Sequence, residues 1–225
     1  RNCAVSKSAT GKYSVSILCL QDYEPKMKTG KQVGIDLGLK NFIALSDGMK
    51  HQNPKYLARY QKQLAKAQRH LARKKKGSER RNKQKFKVAK IHEKVKNSRT
   101  DFLHKLSTQI TNENDVICAE DLNVSGMMKN RKLSKLIGDA SWSSFLNFLQ
   151  YKSDWNDRKF VKIGRYFPSS KTCFECRNVN KNLLLSDRIW TCENGHVLDR
   201  DINAAKNILR EGLKSLSSGA DDYIH

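Results

Sequence analysis

From Pro54 onward the apolar residues recur at spacings of three and four: Leu57, Tyr60, Leu64, Ala67 and Leu71, then Val88, Ile91, Val95, Ser98, Phe102, Leu106 and Ile110. A seam of that period is what one packed stripe of an amphipathic helix requires. Between the two seams lies Lys74-Lys-Lys-Gly-Ser78, a turn signal. The pattern predicts an antiparallel helical hairpin over 54–111, and whatever else the chain builds must accommodate it as an insertion. At 225 residues there is length for one full core and a small satellite unit.

On either side of this insertion the period is that of strands. Residues 13–20 alternate and then run apolar, which predicts a strand buried mainly on one face. Residues 32–46 hold two apolar runs joined by Gly-Leu-Lys-Asn, a β-hairpin. Asp115 to Leu122 reads as a short buried strand ending in two acids, followed by a polar, Lys-rich linker from Asn123 to Lys135. Trp142, Phe145, Leu149 and Trp155 fall near helical spacing and predict the inner face of a helix; residues 160–167 predict a further strand. Asp201 to Leu213 predicts a last helix, and 215–225 a disordered tail. Because the chain starts at Arg1 without Met and 13–20 already reads as mid-sheet, it is expected to be a fragment or a naturally short member of its kind.

The charge is concentrated. Lys and Arg number 44 against 22 Asp and Glu, a net +22; between Lys55 and Lys105 there are 19 against 3, so +16 of it sits in the hairpin. Most charge runs are solvated helix faces. With so few acids to pair with, a phosphate-binding surface is the better reading, its candidate contacts Lys62, Lys66, Arg69 and Arg73, the turn residues Lys74, Lys75 and Lys76, then Arg80 and Arg81. A basic membrane-surface protein is the competing class. No run approaches the roughly 20 apolar residues of a spanning helix and no signal-peptide pattern opens the chain, so an intracellular, cytoplasmic protein is expected, nucleoid-associated in a prokaryote.

Three acids sit where regular elements begin or end. Asp36 places one charge in the apolar run Gly34-Ile-Asp-Leu-Gly38, Glu120 ends a buried strand, and Asp201 begins a helix. An unpaired carboxylate in an apolar strand is costly. A sheet with flanking helices can gather such positions, and gathered carboxylates repel unless a cation lies between them. Two Mg²⁺ ions roughly 3.5–4 Å apart would serve, suited to phosphodiester hydrolysis. Asp121 and Asp199 are left out of the site; Asp199 suits a helix cap.

The six cysteines separate into lone residues and a cluster. Cys3, Cys19 and Cys118 read as buried or incidental thiols. Cys173-x₂-Cys176, fifteen residues, then Cys192-x₃-His196 supply four sulfur and nitrogen donors in two short-spaced pairs, the pattern of a structural Zn²⁺ site over 171–197. The alternative is a knuckle that has lost its metal and survives as a packed loop.

The segments Gly34-Ile-Asp-Leu-Gly-Leu-Lys-Asn, Ala119-Glu-Asp-Leu and Asp199-Arg-Asp-Ile-Asn-Ala-Ala-Lys-Asn-Ile closely resemble the three RuvC motifs of the transposon-encoded TnpB family, relatives of type V CRISPR effector nucleases. The resemblance runs from about residue 13 to 213. It implies an α/β, RNase H-like (RuvC) mixed sheet with flanking helices, the basic helical hairpin and the small zinc-binding unit being insertions. Residues 1–31 would end an N-terminal β domain, 32–170 form the nuclease core with its insertion at 54–111, and 198–214 supply its last segment. Asp36, Glu120 and Asp201 match the family's catalytic acids. The zinc segment departs from the family's usual second C-x-x-C: Gly195 takes the expected fourth position and His196 follows. The long N-terminal region that reads a DNA motif and grips RNA in the family is nearly absent here.

The resemblance implies an RNA-guided, Mg²⁺-dependent DNA endonuclease with guide RNA and target DNA as partners. A nuclease-inactive, RNA-guided or plain DNA-binding regulator on the same scaffold is the alternative. A transposase proper is disfavoured, since no tyrosine or HUH nucleophile motif is present.

Overall fold

A computed structural model describes residues 2–184 and 186–219. The chain forms two compact units: one takes the residues up to Tyr23 together with Lys55–Lys105, the other Glu24–Pro54 and the chain from Leu106 on.

In the first unit, β1 (Cys3–Lys7) and β2 (Tyr13–Ile17) form an antiparallel ribbon with Cys3 opposite Ile17 and Lys7 opposite Tyr13. The expected one-sided burial of 13–20 is not found: every residue of both strands is exposed and β2 stops at Ile17. A two-stranded ribbon is too narrow to bury a face by itself. Of the three lone cysteines, Cys3 and Cys19 are exposed and Cys118 is buried. The ribbon's turn is tied to the long helix by Lys12 (3.2 Å) and Thr10 (3.0 Å), both on Glu93.

The helical hairpin forms as its period predicts, from α1 (Tyr56–Ala72) and α2 (Glu79–Glu113). Gly77, at φ +82°, turns the chain between them. Tyr56 meets the Phe102 ring at 6.4 Å, Lys94 lies over Tyr60, Gln84 donates to the Ala67 carbonyl and Arg81 to that of Leu71. Partners that rise along α1 fall along α2, so the helices are antiparallel. Leu64, Ile91 and Val95 are buried along the seam.

The second unit is built on a mixed five-stranded sheet, ordered β5 (Lys50–Gln52), β4 (Asn41–Leu45), β3 (Gln32–Leu37), β6 (Val116–Glu120), β7 (Lys159–Ile163). The predicted 32–46 hairpin is the antiparallel pair β3–β4, while β3–β6 and β6–β7 are parallel. Parallel strands covered on both faces read as continuous apolar runs, and Val33, Ile35, Ile117, Cys118 and Ala119 are all buried. The supposed linker 123–135 contains the short α3 (Val124–Met127), capped by the Asn123 side chain, and the start of α4 (Ser134–Ala140). In α5 (Trp142–Trp155) the residues Trp142, Phe145 and Leu149 are buried as expected, but Trp155 is 44% exposed, its ring edge-on to Tyr151 at the end of the helix. The strand expected over 160–167 closes at Ile163, where the chain turns at Gly164 and Phe167 donates back to the Gly164 carbonyl. A small ribbon, β8 (Ile189–Thr191) with β9 (Val197–Asp199), precedes the last helix, α6 (Arg200–Ser217). That helix outruns the expected boundary at Leu213 and takes in Ser215, whose Oγ donates to the Glu211 carbonyl one turn back. The rest of the expected tail, 220–225, lies outside the described residues.

Two glycines let α6 lie directly on the sheet. A Cβ on Gly34 of β3 would stand 2.0 Å from the Ala205 carbonyl oxygen and 2.7 Å from the Leu209 nitrogen. On the helix side, a Cβ on Gly212 would stand 2.4 Å from Cys118 Sγ, the thiol whose burial pushes its pKa up to about 12. The obstacle at Gly34 is backbone, which cannot rotate aside. No helix among the described residues is long and apolar enough to cross a membrane. Gly34→Ala should therefore lower stability by about 2 kcal/mol or more in a thermal melt. Gly164→Ala, at a position with open space around it, should stay within about 0.5 kcal/mol.

Candidate active site and metal centre

The strand order explains how two distant acids meet. In the β3–β6 register Ile35 faces Ala119, so the next residues along the two parallel strands are Asp36 and Glu120, side by side at their carboxyl ends. Ligand sites in open α/β sheets form at that end. Asp201 enters from a third element, in the first turn of α6, and the glycine contacts above set where that turn stands.

Glu120 and Asp201 both act on Asp36 electrostatically. Asp36 is raised well above the usual carboxylate range, first by burial, then by Glu120 and Asp201, with Arg200 and Arg188 pulling the other way. Glu120 is also raised by burial, against the hydrogen bond that Ser169 Oγ donates to its Oε1. Two cations stand at Asp201: Arg188 Nη1 is 3.2 Å from its Oδ1 and Lys50 Nζ 3.8 Å from its Oδ2. Asp199 caps α6 as expected, its Oδ1 accepting from the backbone N–H groups of Asp201 and Ile202. Asp121 turns away to pair with Arg165 at 2.6 Å. Sequence reasoning missed Lys50, Ser169 and Arg188; each is a lone polar residue in an edge strand or loop, with no periodicity to mark it.

The cysteine segment converges. The ligand atoms of Cys173, Cys176, Cys192 and His196 all lie within 4.8 Å of one another. Cys192 Sγ is 3.2 Å and Cys173 Sγ 3.9 Å from His196 Nδ1, and Cys176 Sγ is 3.6 Å from Cys192 Sγ. Ligands around a tetrahedral zinc would be about 3.5–3.8 Å apart, from Zn–S of about 2.3 Å and Zn–N of about 2.0–2.1 Å. The donor set fits that ion in both chemistry and size. The Gly195–His196 departure has a backbone cause: Gly195 adopts φ +82° and donates to the Cys192 carbonyl, while the Cys192 N–H donates to the carbonyl of His196. Glycine is thus the turn residue, and the turn delivers His196 as the fourth donor. Trp190 and Leu183, buried against Cys173 and Cys192, give the unit its small core.

Of the candidate nucleic-acid contacts, Lys62, Lys66, Arg69, Arg73, Lys74, Lys75, Lys76 and Arg80 are exposed. Arg81 is placed differently. It is half-buried, and its Nη1 donates to the Leu71 and Lys74 carbonyls, both at 2.9 Å, closing the C-terminal end of α1.

The family model OrfB_IS605, described as probable transposase, matches residues 13–131, and the model of the Cas12f1-like TNB domain matches 142–208. The chain is 46% identical over 215 residues to a "Putative RNA-guided DNA endonuclease" of Streptomyces pristinaespiralis, covering 96% of this chain and 54% of that protein. It is 31% identical over 243 residues to InsQ of Escherichia coli strain K12, which bears the same description, covering 97% and 58%. The chain thus spans about half the length of the curated relatives it matches. Among solved structures, the fold is similar to a chain of a CRISPR-Cas12f ternary complex, with TM-score 0.59, 20% identity, and coverage of 88% of this chain and 41% of that one. A Cas12f1 chain solved with single guide RNA and target DNA gives TM-score 0.58 at 16% identity, with coverage of 92% and 55%. With its mixed sheet and Cys₃His cluster, the chain belongs to the TnpB/OrfB_IS605 family and carries that family's Cas12f1-like TNB segment.

Proposed function

We propose that this chain is the catalytic portion of an RNA-guided DNA endonuclease, with a RuvC-type core over 32–170 and 198–214 interrupted by the hairpin at 54–111 and the zinc unit at 171–197. One observation carries the reading: the parallel register of β3 and β6 sets Asp36 beside Glu120 at the strand ends, and Asp201, in the first turn of α6, acts on the buried Asp36 electrostatically. The order β5-β4-β3-β6-β7, with β3, β6 and β7 parallel, is the arrangement expected of an RNase H-like sheet and supports it. The relatives' names and the contents of the similar Cas12f complexes support guide RNA and target DNA as partners.

The three carboxylates would hold Mg²⁺, which when bound activates water and steadies the leaving oxygen of a phosphodiester. Asp36 and Glu120 supply negative charge from a rigid sheet edge, and Ser169 fixes the rotation of the Glu120 carboxylate. Asp201 closes the site from the helix. The exposed cations of α1, α2 and their turn would hold nucleic acid through its backbone and shape rather than its sequence. Cys173, Cys176, Cys192 and His196 would hold a structural Zn²⁺, which keeps β8–β9 and hence the start of α6 in place.

Asp36→Asn should cut Mg²⁺-dependent cleavage of a guide-matched duplex by more than about a hundredfold while leaving RNA binding intact. A variant that still cuts would remove Asp36 from the site, and wild-type chain that binds both nucleic acids without nicking would favour the regulator. Sequencing the RNA that co-purifies identifies the guide to use.

Nucleic-acid affinity should fall steeply with salt, by roughly 10³–10⁵ between 50 and 200 mM for about 6–10 phosphate contacts. A flat response in a filter-binding titration would exclude the basic hairpin as the grip.

Atomic emission of purified protein should show one zinc per chain, lost in Cys192→Ser together with a lower melting temperature. Metal retained in that variant would place the zinc elsewhere.

A further inference from the structure

Lys50 opens the edge strand β5, yet its charge is directed into the acid site. Its Nζ is 2.8 and 2.7 Å from the two carboxylate oxygens of Asp199 and 3.8 Å from Asp201 Oδ2, with 27% of the side chain exposed. Asp199 does not need the lysine to stay in position, because its Oδ1 is independently held by the N–H groups of Asp201 and Ile202, each at 3.1 Å. A carboxylate at a helix N-terminus is already stabilised there. The lysine is therefore an extra charge, chelated by a fixed carboxylate and suspended beside one of the three clustered acids.

We propose that Lys50 is a built-in counter-ion that competes with divalent cations for Asp201, with Asp199 as the perch that keeps it in reach. The proposal rests on the reading of Asp36, Glu120 and Asp201 as cation ligands, and adds what sets the cation concentration at which they load. Without metal, the ammonium partly offsets the charge of the crowded carboxylates. A divalent ion arriving at Asp201 meets a like charge a few ångströms away and binds less tightly for it. The flexible lysine stem then lets Nζ keep Asp199 while drawing back from Asp201. Lys50 is thus a positioning residue that acts through Asp201, set opposite Arg188 on the other carboxylate oxygen.

The competition gives a sign that a merely structural role does not. Lys50→Met keeps most of the apolar stem and removes the charge, so the full chain should bind Mn²⁺ about tenfold more tightly by calorimetry, while its melting temperature in chelator falls. Lys50→Gln should tighten binding in the same direction, and Lys50→Arg, which keeps the charge, should restore wild-type affinity. Equal or weaker Mn²⁺ binding in both neutral variants would overturn the proposal. Wild-type chain that shows no Mn²⁺ binding sensitive to Asp36→Asn would instead overturn the metal-site reading, and the lysine's role with it.

Discussion

The burial of Asp36 at the end of an apolar strand, with further acids beside it, is the constraint on which the acid cluster of the second unit depends. Asp36 and Glu120 are forced together by the parallel register of β3 and β6, and neither can retreat without breaking a strand. Asp201 is pressed toward them by a helix in backbone contact with the sheet at Gly34 and against a buried thiol at Gly212. Burial first, and the neighbouring acids second, raise the free energy of the charged form of Asp36 and push its pKa up. Proteins keep this kind of strain where a ligand relieves it.

The surplus of positive charge is handled in two different ways. Along the helical hairpin most cations are left exposed, with few acids to answer them. Near the acid cluster Arg188 pairs with Asp201, Lys50 with Asp199 and Arg165 with Asp121. The first pattern suits a diffuse polyanion and the second a site in which individual charges must stay where they are put.

Much of this was legible before any coordinates. The helical hairpin could be read because a period of three to four sustained over fifty residues has no other solution, and β3–β4 because two apolar runs flank a turn. Asp36 was visible as a charge in an apolar strand. Asp201 was harder, since Asp199 sits two residues away with the same side chain, and only the capping bonds separate their roles. The zinc-type cluster was visible from spacing, but that Gly195 turns and His196 donates depends on one left-handed φ. What escaped was whatever depends on neighbours in space: the exposure of both faces of β1–β2, the exposed Trp155, the use of Arg81 to close α1, and the lysine, serine and arginine around the acids. None of these is written in a period or a motif.

The placement of Asp201 in the first turn of the last helix has a consequence for the order of events in the cell. A ribosome releases β3 and β6 long before α6, so a nascent chain possesses two of the three carboxylates before the third. Seating of the helix against Gly34 is the step that completes the set. The acid cluster is therefore incomplete until α6 has been made and seated, whereas the helical hairpin can form earlier through its own local contacts.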